Sequence, residues 1–90
     1  MYNYQTERVE IFTDDGQRLF IKIRDNVQRL LAEAGAVRMD KAIAGFAGAA
    51  WTMLACVDRL VELGEIVEVT PANAPGRDRV FVAKPNHYDR

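Results

Sequence analysis

Basic residues near the carboxyl end of the chain are the side chains whose type and spacing best fit a chemical task. Arg77 and Arg79 stand two positions apart beside a stretch rich in proline, and Lys84 follows them. Guanidinium and ammonium groups bind phosphate oxygens, so these side chains are candidates for contact with phosphate groups. Asp78 interrupts the group, and arginines beside a turn more often belong to a solvated surface.

Residues suited to catalysis or to metal binding are isolated in this sequence. His87 is the one histidine and Cys56 the one cysteine, so no pair stands at the spacing of zinc ligands. Cys56 lies in the apolar run LACV, which predicts a buried thiol, whereas Asp14 and Asp15 are typical of a helix start. Neither a glycine-rich phosphate loop nor a nucleophile motif occurs. We therefore predict that the protein is not an enzyme and needs no metal or cofactor.

The composition of the chain fits one small domain. Its 90 residues are 49% hydrophobic, enough for a single core, and its formal net charge of -1 lacks the basic excess of strong nucleic-acid binders. The single cysteine rules out an intrachain disulfide, no charged and apolar leader opens the chain, and no apolar run reaches the length of a membrane span. These features predict a cytoplasmic protein with no membrane partner.

Helical periodicity organises the middle of the chain. Apolar residues recur every three or four positions from Leu19, and Gly35 supplies a left-handed end, which predicts a helix over residues 14–34. Asp40 is suited to cap a short second helix over residues 40–46. A third helix is predicted over residues 49–63, with Gly64 at its end.

Two strands are predicted after the third helix. Residues 65–70 and 79–83 are rich in branched apolar side chains, and the loop 71–78 between them holds two prolines and a glycine. The predicted fold class is α+β: three helices and a two-stranded hairpin form one domain over residues 14–84, followed by a tail over 85–90. Residues 1–13 have no helical period, which predicts an extended arm or edge strand on the core or on a neighbouring subunit.

Five sequence segments together form a recognisable pattern: RLLAEAG, MDKAIAGF, MLACVDRLVELG, EIVEV and DRVFVA. Over residues 19–83 the chain resembles bacterial winged helix-turn-helix DNA-binding domains, in which a helix ending in glycine runs directly into the first strand of the wing. The resemblance implies that the third helix enters the major groove and that the wing contacts the backbone. It therefore implies a small DNA-binding protein, a transcription regulator that acts as a homodimer.

Carried onto this chain, the resemblance implies DNA contacts from three elements. On the third helix, Thr52 and Arg59 can donate hydrogen bonds to DNA. The start of the second helix adds two basic residues, and the wing adds the basic group named above. The full set of implied nucleic-acid contacts is Thr52, Arg59, Arg77, Arg79, Lys84, Arg38 and Lys41.

The first turn of the third helix favours a second interpretation. Ala49, Ala50 and Trp51 stand where a base-reading helix carries Arg, Lys, Asn or Gln. Tryptophan is enriched at the centres of protein interfaces. The alternative is therefore a protein-interaction or assembly module whose contact surface is Trp51, Leu54 and Ala55. Because the resemblance favours it, DNA binding is the prediction, and the interaction module is kept as the alternative.

Overall fold

The computed structural model describes residues 1–71 and 75–85. In this part of the chain, four α-helices pack with a three-stranded antiparallel sheet, so the predicted α+β class is confirmed. The predicted loop residues 72–74 and tail residues 86–90, including His87, lie outside the described residues. The elements in chain order are α1 (Tyr4–Glu7), a first 3₁₀ helix (Arg8–Phe12), α2 (Asp14–Ala34), β1 (Val37–Arg38), α3 (Met39–Ala42), α4 (Ala50–Glu62), β2 (Ile66–Glu68), a second 3₁₀ helix (Gly76–Asp78) and β3 (Val80–Ala83).

Helix α2 has the bounds that the sequence predicts. Its start is capped by Thr13, whose hydroxyl accepts a hydrogen bond from the Gly16 amide at 3.0 Å. Its end lies at Gly35, whose φ of 79° is the left-handed conformation that glycine adopts without strain. Ile23 and Val27 on its apolar face are fully buried. The capping residues and the apolar periodicity therefore indicate the same helix, and the predicted range 14–34 is confirmed.

The second predicted helix is shorter than expected. Helix α3 ends at Ala42 rather than near residue 46, and Gly45 and Gly48 beyond it both have positive φ. Asp40 is not its cap, because the N-cap position is Arg38, whose guanidinium pairs with the Asp40 carboxylate. By contrast, α4 lies within one residue of its predicted bounds at each end.

The sheet has one strand more than predicted. β2 and β3 form the expected antiparallel hairpin with Val67 opposite Val82, and β1 pairs with the other edge of β3, placing Val37 opposite Phe81. The strand order is therefore β1-β3-β2. A strand of two residues shows no alternation, so the sequence pattern marks Val37 only as a core residue.

The amino-terminal residues are helical, so the predicted extended arm is wrong. Asn3 caps α1 by accepting a hydrogen bond from the Thr6 amide at 3.3 Å, and a 3₁₀ helix follows directly. Ile11 from that 3₁₀ helix is only 1% exposed and belongs to the core. The two turns are too short to produce a helical period in the sequence. Residues 1–12 are called the N-terminal segment below.

The core lies between α2, α4 and the sheet. Phe81 at the centre of β3 is its largest fully buried side chain, and Ile23, Met39 and Leu60 are buried with it. Across residues 1–71 and 75–85, no helix has the length and apolar character needed to cross a membrane.

Candidate functional site

Helix α4 is covered on nearly all sides. Trp51 in its first turn is 44% exposed, but every residue from 52 to 61 is buried or half-buried. Met53, Val57 and Leu60 recur at helical spacing and face the core. A base-reading helix must present a row of exposed polar side chains to the groove. In this conformation α4 presents no such row.

The N-terminal segment covers the side of α4 that faces away from the core. The Tyr2 hydroxyl donates to Asp58 Oδ2 at 2.7 Å, and the Tyr4 hydroxyl donates to Glu62 Oε1 at 2.7 Å. The ring of Tyr2 also meets that of Trp51 edge to face, with centroids 6.5 Å apart. The side of α4 that the resemblance assigns to DNA is therefore occupied by the chain's own first residues.

Phe12 is the centre of a cluster of aromatic and arginine side chains. The guanidinium carbons of Arg8 and Arg59 lie 5.3 Å and 5.2 Å from the centre of its ring. Both arginines also bind Glu62 Oε1, at 3.0 Å and 2.7 Å. Hydrogen bonds from Tyr4, Arg59 and Arg8 lower the pKa of Glu62 to about 2. We call Tyr2, Tyr4, Arg8, Phe12, Trp51 and Arg59 the aromatic–arginine surface.

Arg79 joins the hairpin to α4. Its guanidinium donates to Asp58 at 2.7 Å and 3.2 Å and to Glu68 at 2.8 Å and 3.0 Å, and it stacks on the Phe81 ring at 5.2 Å. Only 20% of its side chain is exposed. Hydrogen bonds from Arg79 lower the pKa of Glu68, and hydrogen bonds to Glu68 and Asp58 raise that of Arg79. Arg79 therefore orients the hairpin and is held by two carboxylates, and its predicted phosphate contact stays a prediction.

Two other predicted DNA contacts are also held by carboxylates. Arg59 is bound to Glu62 as described, and Arg38 pairs with Asp40. Thr52 is half-buried in a groove of about 410 Å³ that Glu10 and Asp15 also line, and their charge would repel phosphate. These positions do not form a basic surface, because each cation or donor lies beside an acidic residue.

The other three predicted DNA contacts, which are basic residues, lie in two places. Lys41 and Arg77 are exposed and make no ion pair within residues 1–71 and 75–85. They belong to neighbouring elements, since α3 packs against the second 3₁₀ helix. Lys84 is exposed at the opposite end of β3, where its amide donates to the Glu65 carbonyl at 3.2 Å. The structure therefore does not bring Lys84 to the loop that carries Arg77.

The residues predicted to contact a protein partner differ in accessibility. Trp51 is exposed, Leu54 is half-buried, and Ala55 is completely buried. Ala55 is therefore wrong as a contact residue, because its small side chain lies on a side of α4 that the rest of the fold covers. Phe12, 53% exposed, and Arg8 contribute to the surface instead. In the sequence, the aromatic residues Tyr2, Tyr4 and Phe12 are what indicates that this segment contributes to a contact surface.

Cys56 is predicted to be inert in the native protein. Its side chain is fully buried, and burial raises the pKa of its thiol to about 12. We expect Ellman's reagent at pH 8 to modify the folded protein at least about 100-fold more slowly than the protein unfolded in urea. Equal rates in the two conditions would contradict the burial of this thiol.

Comparisons with protein-family models, with curated proteins and with solved structures find no match to this chain. Within the described residues, no group of three or more histidine, cysteine, aspartate or glutamate side chains is placed to hold a metal ion.

Proposed function

We propose that this chain is a winged helix domain that acts as a protein-interaction module through its aromatic–arginine surface. Two features support the scaffold: α2, α3 and α4 are followed by the β2–β3 hairpin, and β1 pairs on the far side of β3. In this proposal the scaffold keeps the element order of DNA-binding relatives. Its third main helix, α4, instead supports a contact surface for another protein.

The observation that carries the proposal is that the core and the N-terminal segment cover most of α4. Exposed residues of α4 lie only at its two ends, at Ala50, Trp51 and Glu62, and the ten residues from 52 to 61 are buried or half-buried. The three charged residues of α4 are Asp58, Arg59 and Glu62. Each already forms a hydrogen bond or an ion pair with another side chain. A helix in this state has little to offer base edges, which require exposed donors and acceptors.

The exposed apolar side chains around α4 fit a protein partner. Trp51 and Phe12 are 44% and 53% exposed, and Val9 in the same segment is 61% exposed. Aromatic residues and arginine are the types enriched at the energetic centres of protein interfaces. Arg8 and Arg59 stack on Phe12 and share the Glu62 carboxylate, which balances one of their two positive charges.

Photo-cross-linking tests the protein-interaction proposal. A benzophenone amino acid introduced in place of Trp51 is expected to give a discrete protein adduct in cells that make the protein. The same amino acid in place of Ile21, an exposed apolar residue on α2, is the matched control and is expected to give none. Adducts of equal yield at both positions, or adducts to nucleic acid alone, would overturn the proposal.

A second candidate function is binding of the DNA backbone by a homodimeric transcription regulator. It is favoured by the exposed cations Lys41 and Arg77, which lie on adjacent elements, with Arg38 opposite Val80 on the neighbouring strand. Each phosphate neutralised by such a cation adds to affinity and to its dependence on salt. Two copies would double the few contacts that one domain offers.

DNA binding is predicted to depend on Arg77 if this second function operates. Reversing the charge in Arg77→Glu is expected to weaken binding to mixed-sequence duplex DNA at low salt by about tenfold, because a phosphate contact becomes a repulsion. Fluorescence anisotropy at two salt concentrations measures the change. Lys84→Glu, at the other end of β3, is the matched control. The absence of salt-dependent binding in the unmodified protein would eliminate this function.

A further inference from the structure

A series of hydrogen bonds runs from the N-terminal segment to the hairpin of β2 and β3. The Tyr2 hydroxyl donates to Asp58 Oδ2 at 2.7 Å, and the Arg79 guanidinium donates to both oxygens of the same carboxylate. Arg79 also donates to Glu68, which accepts a further bond from the Thr70 hydroxyl at 2.7 Å. We call these five side chains the polar network. It joins the first residues of the chain, α4 and the hairpin.

The polar network continues into the backbone of the hairpin. The Thr70 hydroxyl accepts a hydrogen bond from the Val80 amide at 3.3 Å, and the Val80 carbonyl accepts one from the Val69 amide at 2.9 Å. These bonds join the residues that follow β2 to the first residue of β3. A change in the position of Thr70 therefore acts on the base of the loop that carries Arg77.

Each link of the polar network has one possible direction. An ionised carboxylate only accepts hydrogen bonds and a guanidinium only donates them, so Arg79 divides its donors between Asp58 and Glu68. These three side chains are each no more than 26% exposed, so water replaces a lost bond poorly. Hydrogen bonds in such surroundings strengthen one another. Loss of the Tyr2 donor therefore draws Arg79 toward Asp58 and weakens its hold on Glu68.

Tyr2 belongs both to the polar network and to the aromatic–arginine surface. Its ring meets that of Trp51 edge to face, so a partner that binds at Trp51 also meets the first side chain of the network. Tyr4 provides a contrast. Its hydroxyl donates at the same distance to Glu62, whose other partners are the two arginines of the surface. Among the residues that the structure describes, no hydrogen bond joins this second group to the network.

We infer that the polar network couples the aromatic–arginine surface to the hairpin, so that a protein partner which displaces Tyr2 loosens the pairing of Val69 with Val80. Such coupling is reciprocal, so a ligand held by the hairpin changes the hold on Tyr2. As regulation of that surface, the inference rests on the proposed function. The coupling itself is a property of the chain alone and is tested without a partner.

Amide hydrogen exchange followed by NMR tests the coupling from Tyr2 to the hairpin. Tyr2→Phe keeps the ring and removes the hydroxyl. We expect it to raise the exchange rate of the Val69 amide, relative to that of the Ile23 amide in the core, about threefold. Tyr4→Phe removes the same group two positions later and is the matched control, with an expected change below about 1.5-fold. Because the Ile23 rate reports global unfolding, a general loss of stability does not raise the ratio.

The reverse direction is measured at Trp51, the single tryptophan of the chain. Glu68→Gln removes the charge that holds Arg79 at the hairpin, so the guanidinium turns toward α4 and competes with the Tyr2 hydroxyl. We expect this substitution to shift the indole N–H signal of Trp51 in the NMR spectrum, because the ring of Tyr2 lies against it. Glu65→Gln removes a carboxylate that is bonded outside the network and is expected to leave the signal in place.

A double substitution shows whether the effect passes through Arg79. In an Arg79→Ala background the network is already cut, so Tyr2→Phe is expected to leave the ratio of the Val69 and Ile23 rates unchanged within about 1.5-fold. Slow exchange of the Ile23 amide in the same sample shows that the variant is folded.

Four results would each overturn the inference. They are equal effects of Tyr2→Phe and Tyr4→Phe on the hairpin, no effect of either, a full effect of Tyr2→Phe in the Arg79→Ala background, and an unmoved Trp51 signal in Glu68→Gln. Each of them leaves the proposed function standing, because cross-linking at Trp51 tests that function separately. Failure of the cross-linking in turn leaves the coupling within the chain unchanged.

Discussion

Replacing Gly16 by alanine is expected to destabilise the protein by about 3 kcal/mol, although alanine is the better helix former. A Cβ at this position would lie 2.8 Å from both the Cα and the carbonyl carbon of Ile11, and closer still to the carbonyl oxygen of Glu10. These are backbone atoms, which cannot rotate away as a side chain can. The first 3₁₀ helix must therefore move off α2 and withdraw Ile11 from the core.

Urea unfolding of Gly16→Ala measures the loss, and a second glycine provides the control. Among the residues that the structure describes, none has a heavy atom within 4 Å of the place where a Cβ of residue 76 would stand, so Gly76→Ala is expected to change stability by no more than about 0.5 kcal/mol. If Gly16→Ala were instead stabilising, as helix propensity alone predicts, the close packing of the N-terminal segment on α2 would be wrong. The sign of the stability change at residue 16 therefore shows whether helix propensity or packing against the first 3₁₀ helix dominates.

Local signals predict helix α2 because it carries a capping residue, an apolar face and a glycine end, and they predict α4 because it carries an apolar face and a glycine end. Thr13 and Gly35 bound the first of these helices, and Gly64 follows the second, so no contact with the rest of the fold is needed to place them. Strand β1 and the N-terminal segment lack such signals. Val37 becomes a strand residue only because Phe81 pairs with it, and Ile11 is placed by its burial against other elements. Their structure is decided by tertiary contacts.

The candidate site was harder to predict than the fold because its charges pair across long sequence distances. Arg79 binds Asp58, 21 positions earlier, and Arg8 binds Glu62, 54 positions later. Arg79, a predicted phosphate contact, is therefore paired with carboxylates in the structure. Trp51 is different, since its exposure follows from its place in the first turn of α4, and the sequence marked it as a contact residue.

Replacing Arg79 by alanine is expected to destabilise the protein by about 2 kcal/mol at neutral pH. Asp58 and Glu68 would then face each other with no cation between them. Removing one partner of a fully buried ion pair costs roughly 3–5 kcal/mol, and the cost here is smaller because water reaches part of the site. Arg77→Ala, in the exposed loop two positions earlier, is the matched control and is expected to be nearly neutral.

The effect of Arg79→Ala should shrink as the pH falls. In the unmodified protein Arg79 lowers the pKa of Glu68 below its ordinary value of 4.5, so this stabilisation is present above that value and is lost as the pH falls through the lowered pKa. In the variant, Glu68 has lost this cation, and its protonation on acidification relieves the repulsion between the two side chains. Urea unfolding of both proteins from neutral pH to about pH 3 should therefore give converging stabilities. A constant difference across this range would mean that Arg79 stabilises the hairpin mainly by stacking on Phe81.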